Sequence, residues 1–175
     1  MEVQQNQNLQ KSLLRQLFAD PKIGSYAILD GASNPALLDY LYSDEPPEFV
    51  CLYRGELEPD IAECAPYLVR LEQNSLFTQW ITSQCWGLHW GIFALADCDL
   101  KTMRYHLRKL NMVYESETNK PLLFRYYDPR VLNVFLPTCD EEQLNELFGP
   151  ITVFFAENME GSDFQSFTIK NLVND

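Results

Sequence analysis

Residues suited to acid–base or nucleophilic chemistry occur at a few places in this sequence. Asp30 ends a short apolar run and precedes a glycine, which is where open α/β sheets place side chains that contact ligands. Cys85 with His89, and Cys98 with His106, are the nearest thiol–imidazole pairs along the chain. Either pair could form a nucleophilic dyad if folding brought the two side chains into contact.

The surrounding sequence gives this catalytic hypothesis little support. No second carboxylate stands two residues after Asp30, and the tract 31–34 is equally typical of a turn and a helix cap. The patterns GxSxG, HExxH and GxxxxGK[ST] are absent, and neither histidine has a ligand at metal-binding spacing. We therefore expect no catalytic residue, no metal and no cofactor. The alternative is a small hydrolase or transferase that uses Asp30 with Arg125 or Asp128, or a Cys–His pair.

Composition predicts one folded domain that stays in the cytoplasm. The 175 residues are 46% hydrophobic and include 11 Phe, 9 Tyr and 3 Trp, enough for a core and an exposed aromatic patch. A net charge of −12 disfavours nucleic acid and anionic membranes as partners. No apolar run approaches the roughly 18 residues of a membrane span, and the Gln/Asn-rich start does not resemble a signal peptide. The five cysteines form no CxxC pair and are interpreted as buried, reduced thiols.

Hydrophobic periodicity predicts alternating strands and helices, hence an α/β (mixed α+β) single domain with a mixed sheet of about five or more strands flanked by helices. The chain divides into a helix and polar leader at 1–23, a main unit at 24–157 and a strand or tail at 158–175. Predicted strands are Ser25–Asp30, Phe49–Tyr53, Tyr67–Leu71, His89–Ala96, Met112–Glu115, Leu122–Tyr127, Ile151–Ala156 and Phe164–Ile169. Predicted helices are Leu9–Ala19, one capped by Asn34, Asn74–Gln84, one capped by Asp97 or Asp99, Pro129–Leu136, and one with a Thr138/Glu141 capping box; Glu56–Pro66 is predicted to be a loop.

Charge is unevenly distributed. Residues 101–130 carry seven Lys/Arg against three acids, although both flanks are acidic. Helical spacing places Lys101, Arg104 and Arg108 on one face, beside a face that packs. This face could bind a protein partner or be a solvated surface that neutralises the acidic flanks. The residues proposed for protein binding are Lys101, Arg104, Tyr105, Arg108, Arg125, Tyr127 and Arg130, with Tyr105 and Tyr127 expected to be exposed.

The segment FRYYDPRVLNVFLP, at Phe124–Pro137, is followed by FGPI at Phe148–Ile151. These two segments and four earlier ones resemble the motifs of a bacterial family, in the same order along the chain. The earlier segments are YAILDGA (26–32), APYLVRL (65–71), WGIFALA (90–96) and HLRKL (106–110). That family is the type VI secretion effector chaperones and adaptors, domain of unknown function 4123, of the Tap or TEC type. The resemblance spans about Gly24–Glu157.

The resemblance implies a cytoplasmic, non-catalytic protein that holds a secreted effector and helps to load it on the VgrG spike or its cap protein. Asp30, Asp128 and Pro129 are interpreted as structural residues of the hallmark, with Asp128 as a helix cap and Arg125 or Arg130 as its partner. A third hypothesis is a structural component of the secretion apparatus, which would form a stable homo-oligomer.

Overall fold

The computed structural model of this protein describes residues 2–115 and 117–173. Its helices are α1 (Glu2–Leu17), α2 (Leu37–Leu41), α3 (Pro59–Cys64), α4 (Leu76–Gln84), α5 (Leu100–Leu110), α6 (Pro129–Phe135), α7 (Glu141–Phe148) and α8 (Ile169–Val173), with a 3-10 turn at Leu136–Thr138. Its strands are β1 (Gly24–Asp30), β2 (Phe49–Cys51), β3 (Pro66–Arg70), β4 (Gly91–Ala96), β5 (Met112–Tyr114), β6 (Pro121–Leu123), β7 (Ile151–Glu157) and β8 (Phe164–Phe167). Within the described ranges, no helix is long and apolar enough to cross a membrane.

Six strands form one sheet in the order β2-β3-β1-β4-β7-β8, and β5 and β6 form a separate two-stranded ribbon. Every neighbouring pair of strands is antiparallel. The predicted mixed α+β class and the sheet of at least five strands are confirmed. The sheet does not combine parallel and antiparallel pairs as a mixed sheet would, because every strand runs opposite to its neighbours.

Hydrophobic side chains are buried on both faces of the sheet. Along β1, Tyr26 and Ile28 join the cluster packed under α5, α6 and α7. The alternate residues Ala27 and Leu29 join a second cluster packed under α1, α2 and α4. Because successive strand side chains point to opposite faces, burial on both sides requires the unbroken apolar run that the sequence shows here. The result is three layers with the sheet in the middle.

The hallmark segment folds as its Asp-Pro pair predicts. Asp128 is the N-cap of α6, and its carboxylate accepts a hydrogen bond from the backbone N–H of Arg130 at 3.0 Å. Pro129 occupies the first helical position, where its missing N–H leaves no bond unmade. The helix continues into the 3-10 turn and ends at Thr138.

Three boundary predictions were wrong. Asn34 does not cap α2: it lies in a turn in which the N–H groups of Ser33 and Asn34 donate to the Asp30 carbonyl at 3.1 Å, and the helix begins only at Leu37, after the N-cap Ala36. The predicted loop Glu56–Pro66 contains α3, which begins at Pro59. The last strand ends at Phe167, after which α8 follows.

The capping box of α7 lies two residues later than predicted. Thr138 Oγ1 donates to the Phe135 carbonyl at 2.7 Å, so it belongs to the preceding turn. Asp140 and Gln143 form the box instead, each side chain bonding the backbone N–H of the other at 2.8 and 3.0 Å. An acid followed three residues later by Gln satisfies the same two N–H groups as the Thr/Glu pair.

Candidate protein-binding surface

Asp30 and Arg125 meet at the end of β1. The Asp30 side chain is only 1% exposed, whereas that of Arg125 is 40% exposed, and the two form an ion pair. The Asp30 carboxylate also accepts hydrogen bonds from the backbone N–H of Ala32 at 3.1 Å and from Ser33 Oγ at 2.7 Å. Burial acts to lower the pKa of Arg125, but the hydrogen bond and charge of Asp30 outweigh it and raise that pKa. Asp30 therefore has a structural role, because its carboxylate stabilises a turn and pairs with the guanidinium of Arg125.

Asp128 and Arg130 form a second pair within the hallmark. Arg130 donates from Nη2 to Asp128 Oδ2 at 2.7 Å and from Nε to Asp128 Oδ1 at 3.0 Å, which is bidentate geometry. Burial acts to raise the pKa of Asp128, but the hydrogen bonds from Arg130 outweigh it and lower that pKa. Arg125 and Arg130, predicted to bind a partner, both hold a carboxylate of their own chain.

The two tyrosines of the hallmark are buried. Tyr126 is completely inaccessible to solvent, and its hydroxyl donates to the Leu107 carbonyl at 3.0 Å. Tyr127 is 1% exposed, and burial together with the neighbouring Tyr53 raises its pKa. The expectation that Tyr127 is exposed was therefore wrong. Both tyrosines belong to the core cluster beneath α5, α6 and α7.

The cationic face of α5 lines an open groove. Lys101, Arg104 and Tyr105 lie along it, and Arg54 contributes a further cation from the segment after β2. Tyr105 is 66% exposed, as expected, and the Lys109 ammonium lies 4.2 Å from the centre of its ring. Asp99, Thr102 and Arg108 complete the lining, so the groove combines four cations and one carboxylate with an aromatic side chain that solvent reaches.

Arg108 differs from the other cations of α5, because it holds the edge of the sheet. Its Nη2 donates to the carbonyls of Cys51 and Tyr53, both at 2.9 Å. Asn111 Nδ2 donates to the carbonyl between them, that of Leu52, at 3.0 Å. Burial, and secondarily Arg104, lowers the pKa of Arg108. The carbonyls at the end of β2 therefore accept hydrogen bonds from side chains of α5 and its C-cap. Arg108 has this structural role and also lines the groove.

We expect Arg108→Met to reduce the free energy of unfolding by about 2 kcal/mol, because it removes two charge-assisted hydrogen bonds to partly buried carbonyls. Lys101→Met, on the same helix face but exposed, should change it by less than about 0.5 kcal/mol. Urea denaturation followed by circular dichroism measures both. Equal effects for the two variants would contradict the structural role of Arg108.

Neither predicted thiol–imidazole pair has a reactive thiol. Cys85 is buried, and burial raises its pKa; burial also raises the pKa of Cys98. His106 shares a hydrogen bond of 2.8 Å between Nε2 and the Leu147 carbonyl, and burial lowers its pKa. A thiol with a raised pKa stays protonated near neutral pH and is a poor nucleophile.

His89 takes part in a polar cluster that sequence reasoning missed. It precedes β4, which begins at Gly91, and it has a positive φ of 54°. Its Nδ1 lies 2.7 Å from the carboxylate of Glu157, which is only 7% exposed and also accepts the N–H groups of Gly87 and His89 at 2.6 and 2.7 Å. The cluster therefore fastens the segment before β4 to the end of β7. The only sequence signal was an acid that ends an apolar strand.

The sequence predicted strands at Met112–Glu115 and Leu122–Tyr127, where the ribbon of β5 and β6 lies, but not the exposed apolar surface of that ribbon. All six of its strand residues are exposed. Five are large apolar side chains, each 39–64% exposed: Met112, Val113, Tyr114, Leu122 and Leu123. At its base, Phe124 is half-buried and its ring centre lies 4.7 Å from that of Phe135. The ribbon thus follows α5 along the chain and carries an exposed apolar surface.

Comparison with known proteins gives one match. A family model described as a domain of unknown function, DUF4123, matches residues 25–146. No curated protein and no solved structure matches the chain. The matched residues include β1, the groove of α5, the ribbon and the hallmark helix α6, but stop before β7. Because this match covers well over half of the 175 residues, the chain belongs to the DUF4123 domain family.

Proposed function

We propose that this protein is a non-catalytic chaperone or adaptor that binds a type VI secretion effector in the cytoplasm and helps to load it on the VgrG spike or its cap protein. The observation that carries the proposal is the open cationic groove of Arg54, Lys101, Arg104 and Tyr105 on a chain whose net charge is −12. Membership of the DUF4123 family supports the same role.

The charges of the groove suit an acidic protein segment. In the part of the chain that the structure describes, the cationic members of the ion pairs are Arg70, His89, Arg125 and Arg130. Neither Lys101 nor Arg104 forms an ion pair there. Cations without a fixed partner can meet carboxylates of another protein without breaking bonds in this one. Such contacts favour fast, salt-sensitive association and select partners by charge. Tyr105 adds exposed aromatic area, which is common at the centres of protein interfaces.

The alternative function, a hydrolase or transferase, needs reactive groups that converge in a pocket. Asp30 is buried and bonded to Arg125, Ala32 and Ser33, and Asp128 is occupied by the N-terminus of α6 and by Arg130. The raised pKa of Cys98 disfavours a thiolate. These contacts favour the binding protein over the enzyme.

The double charge reversal Lys101→Glu/Arg104→Glu tests the proposal. We expect it to weaken binding of the effector encoded beside this chain's gene at least tenfold at low salt, and the difference to shrink as salt screens the charges. Isothermal titration at two ionic strengths measures this. Arg108 stays unchanged, because reversing it would also break the edge of β2.

Lys11→Glu/Arg15→Glu is the matched control, since it makes the same change of charge on an exposed part of α1. It should leave the affinity within about twofold of the wild type. An equal loss of affinity in both double variants would assign the effect to net charge and contradict binding at the groove. A stable homo-oligomer that binds no effector would instead support a structural component of the secretion apparatus.

A further inference from the structure

The register of the ribbon determines which backbone groups face outward. Phe124 N donates to Asn111 O at 2.9 Å, and Glu115 N donates to Lys120 O at 3.0 Å. In an antiparallel pair, hydrogen-bonded and non-hydrogen-bonded residue pairs alternate. The pairs Met112–Leu123 and Tyr114–Pro121 are therefore of the second kind, and their N–H and C=O groups point away from the partner strand.

The two edges of the ribbon differ. On β6, Pro121 occupies one of the two outward positions and has no N–H to offer. A proline on an edge strand blocks addition of another strand. On β5, Met112 and Tyr114 both present an N–H and a C=O, and both residues are exposed. The β5 edge is thus the side on which a further strand can form a ladder.

Both faces of the ribbon are apolar and accessible. Side chains of opposed residues share a face, so Met112, Tyr114 and Leu123 lie on one side and Val113 and Leu122 on the other. An isolated two-stranded ribbon is at best marginally stable in water, and exposed apolar area of this kind marks an interaction site. A third strand would supply backbone hydrogen bonds and cover part of both faces.

We propose that the β5 edge binds an extended segment of the effector, which adds to the ribbon as a third strand. This inference rests on the proposed function. The occupant has apolar side chains at alternating positions, to cover Met112 and Tyr114, and acidic residues at the end that lies toward α5. The position of the acidic residues follows from the charges near the ribbon: Lys109 lies three residues before Met112 and Lys101 and Arg104 line the groove on the same helix, whereas Glu115 and Glu117 lie at the turn end. Strand addition uses backbone bonds for affinity and alternate side chains for specificity.

The variant Tyr114→Pro removes one outward N–H from the open edge. Leu123→Pro is the matched control, because it removes an outward N–H on the same face but from the edge that Pro121 already closes. Tyr114→Ala separates the loss of the side chain from the loss of the N–H. With the effector encoded beside the gene, we expect Tyr114→Pro to weaken binding at least tenfold, and more than Tyr114→Ala. Leu123→Pro should stay within about threefold of the wild type.

Amide hydrogen exchange of the wild-type complex provides a second measurement that does not depend on a proline variant folding. We expect the amides of Met112 and Tyr114 to exchange at least tenfold more slowly when the effector is bound, while that of Leu123 is unchanged. A complex that forms without protecting either β5 amide would overturn the strand addition and leave the proposed function intact. Absence of any complex would overturn both. Protection that appears without effector and grows with protein concentration would assign the edge to a second copy of this chain and also overturn the inference.

Discussion

Replacing Arg125 by Met should reduce the free energy of unfolding by about 3 kcal/mol, although Arg125 is partly exposed. The loss arises at its partner, because the carboxylate of Asp30 is 1% exposed and would remain buried with only Ala32 N–H and Ser33 Oγ as donors. Removing one member of a buried ion pair costs about 3–5 kcal/mol, and the 40% exposure of Arg125 places this case at the lower end. Chemical denaturation of the purified variant measures the change.

A double-mutant cycle identifies the cause. Asp30→Asn removes the charge but keeps an acceptor for the turn, so the variant carrying both Arg125→Met and Asp30→Asn should be more stable than Arg125→Met alone. We expect a coupling energy of about 1.5–3 kcal/mol. Additive losses would show that Arg125 acts through contacts other than Asp30. Recovery in the double variant would identify the Arg125–Asp30 pair as part of the scaffold.

The second large effect is expected at Gly31, in the YAILDGA motif. A methyl group there would collide with the backbone carbonyls of Glu63 and Ala65, at the point where the Gly31 N–H donates to Ala65 O at 3.0 Å. Neither carbonyl can rotate away as a side chain can, so β1 and β3 would have to separate. We expect Gly31→Ala to cost about 3 kcal/mol, the upper part of the range for overpacking. Thermal denaturation followed by circular dichroism provides the measurement.

Gly55→Ala is the informative control. Gly55 has a φ of +82° and no atom within 4 Å of the added methyl, so the substitution strains the backbone without a collision. It should cost about 1 kcal/mol. If Gly31→Ala proved no worse than Gly55→Ala, the close approach of β1 and β3 would not be what requires a glycine in the motif.

Elements with a strong local signal were predictable from the sequence. The apolar run Ser25–Asp30 marks a strand buried on both faces, and the Asp128-Pro129 pair fixes the start of α6. Both signals depend on residues next to one another in the chain. One local signal was misleading: Asn34 is a reasonable cap by type, but it lies in the turn after β1, and α2 begins three residues later with Ala36 as its N-cap.

The site was less predictable, because its roles depend on contacts between distant residues. Lys101, Arg104 and Arg108 share a helix face by spacing alone, yet only the folded chain brings Arg108 to the carbonyls of Cys51 and Tyr53. Tyr127 is of a type found at interfaces, but the fold buries it in the core against Tyr126. Sequence can group side chains on a face; it cannot tell which of them another segment will occupy.

The order of strands in the sheet has a consequence for how the chain is made. Strands β1–β4 lie within residues 24–96 and form four adjacent positions, whereas β7, which covers the remaining edge of β4, ends at Glu157. At a synthesis rate of ~5–20 residues per second, the sixty or so residues between them take roughly 3–12 s. During that interval four of the six strands can pair, and the edge of β4 that β7 later covers stays open. We expect this stage to be the one most prone to aggregation, and to end when β7 pairs with β4.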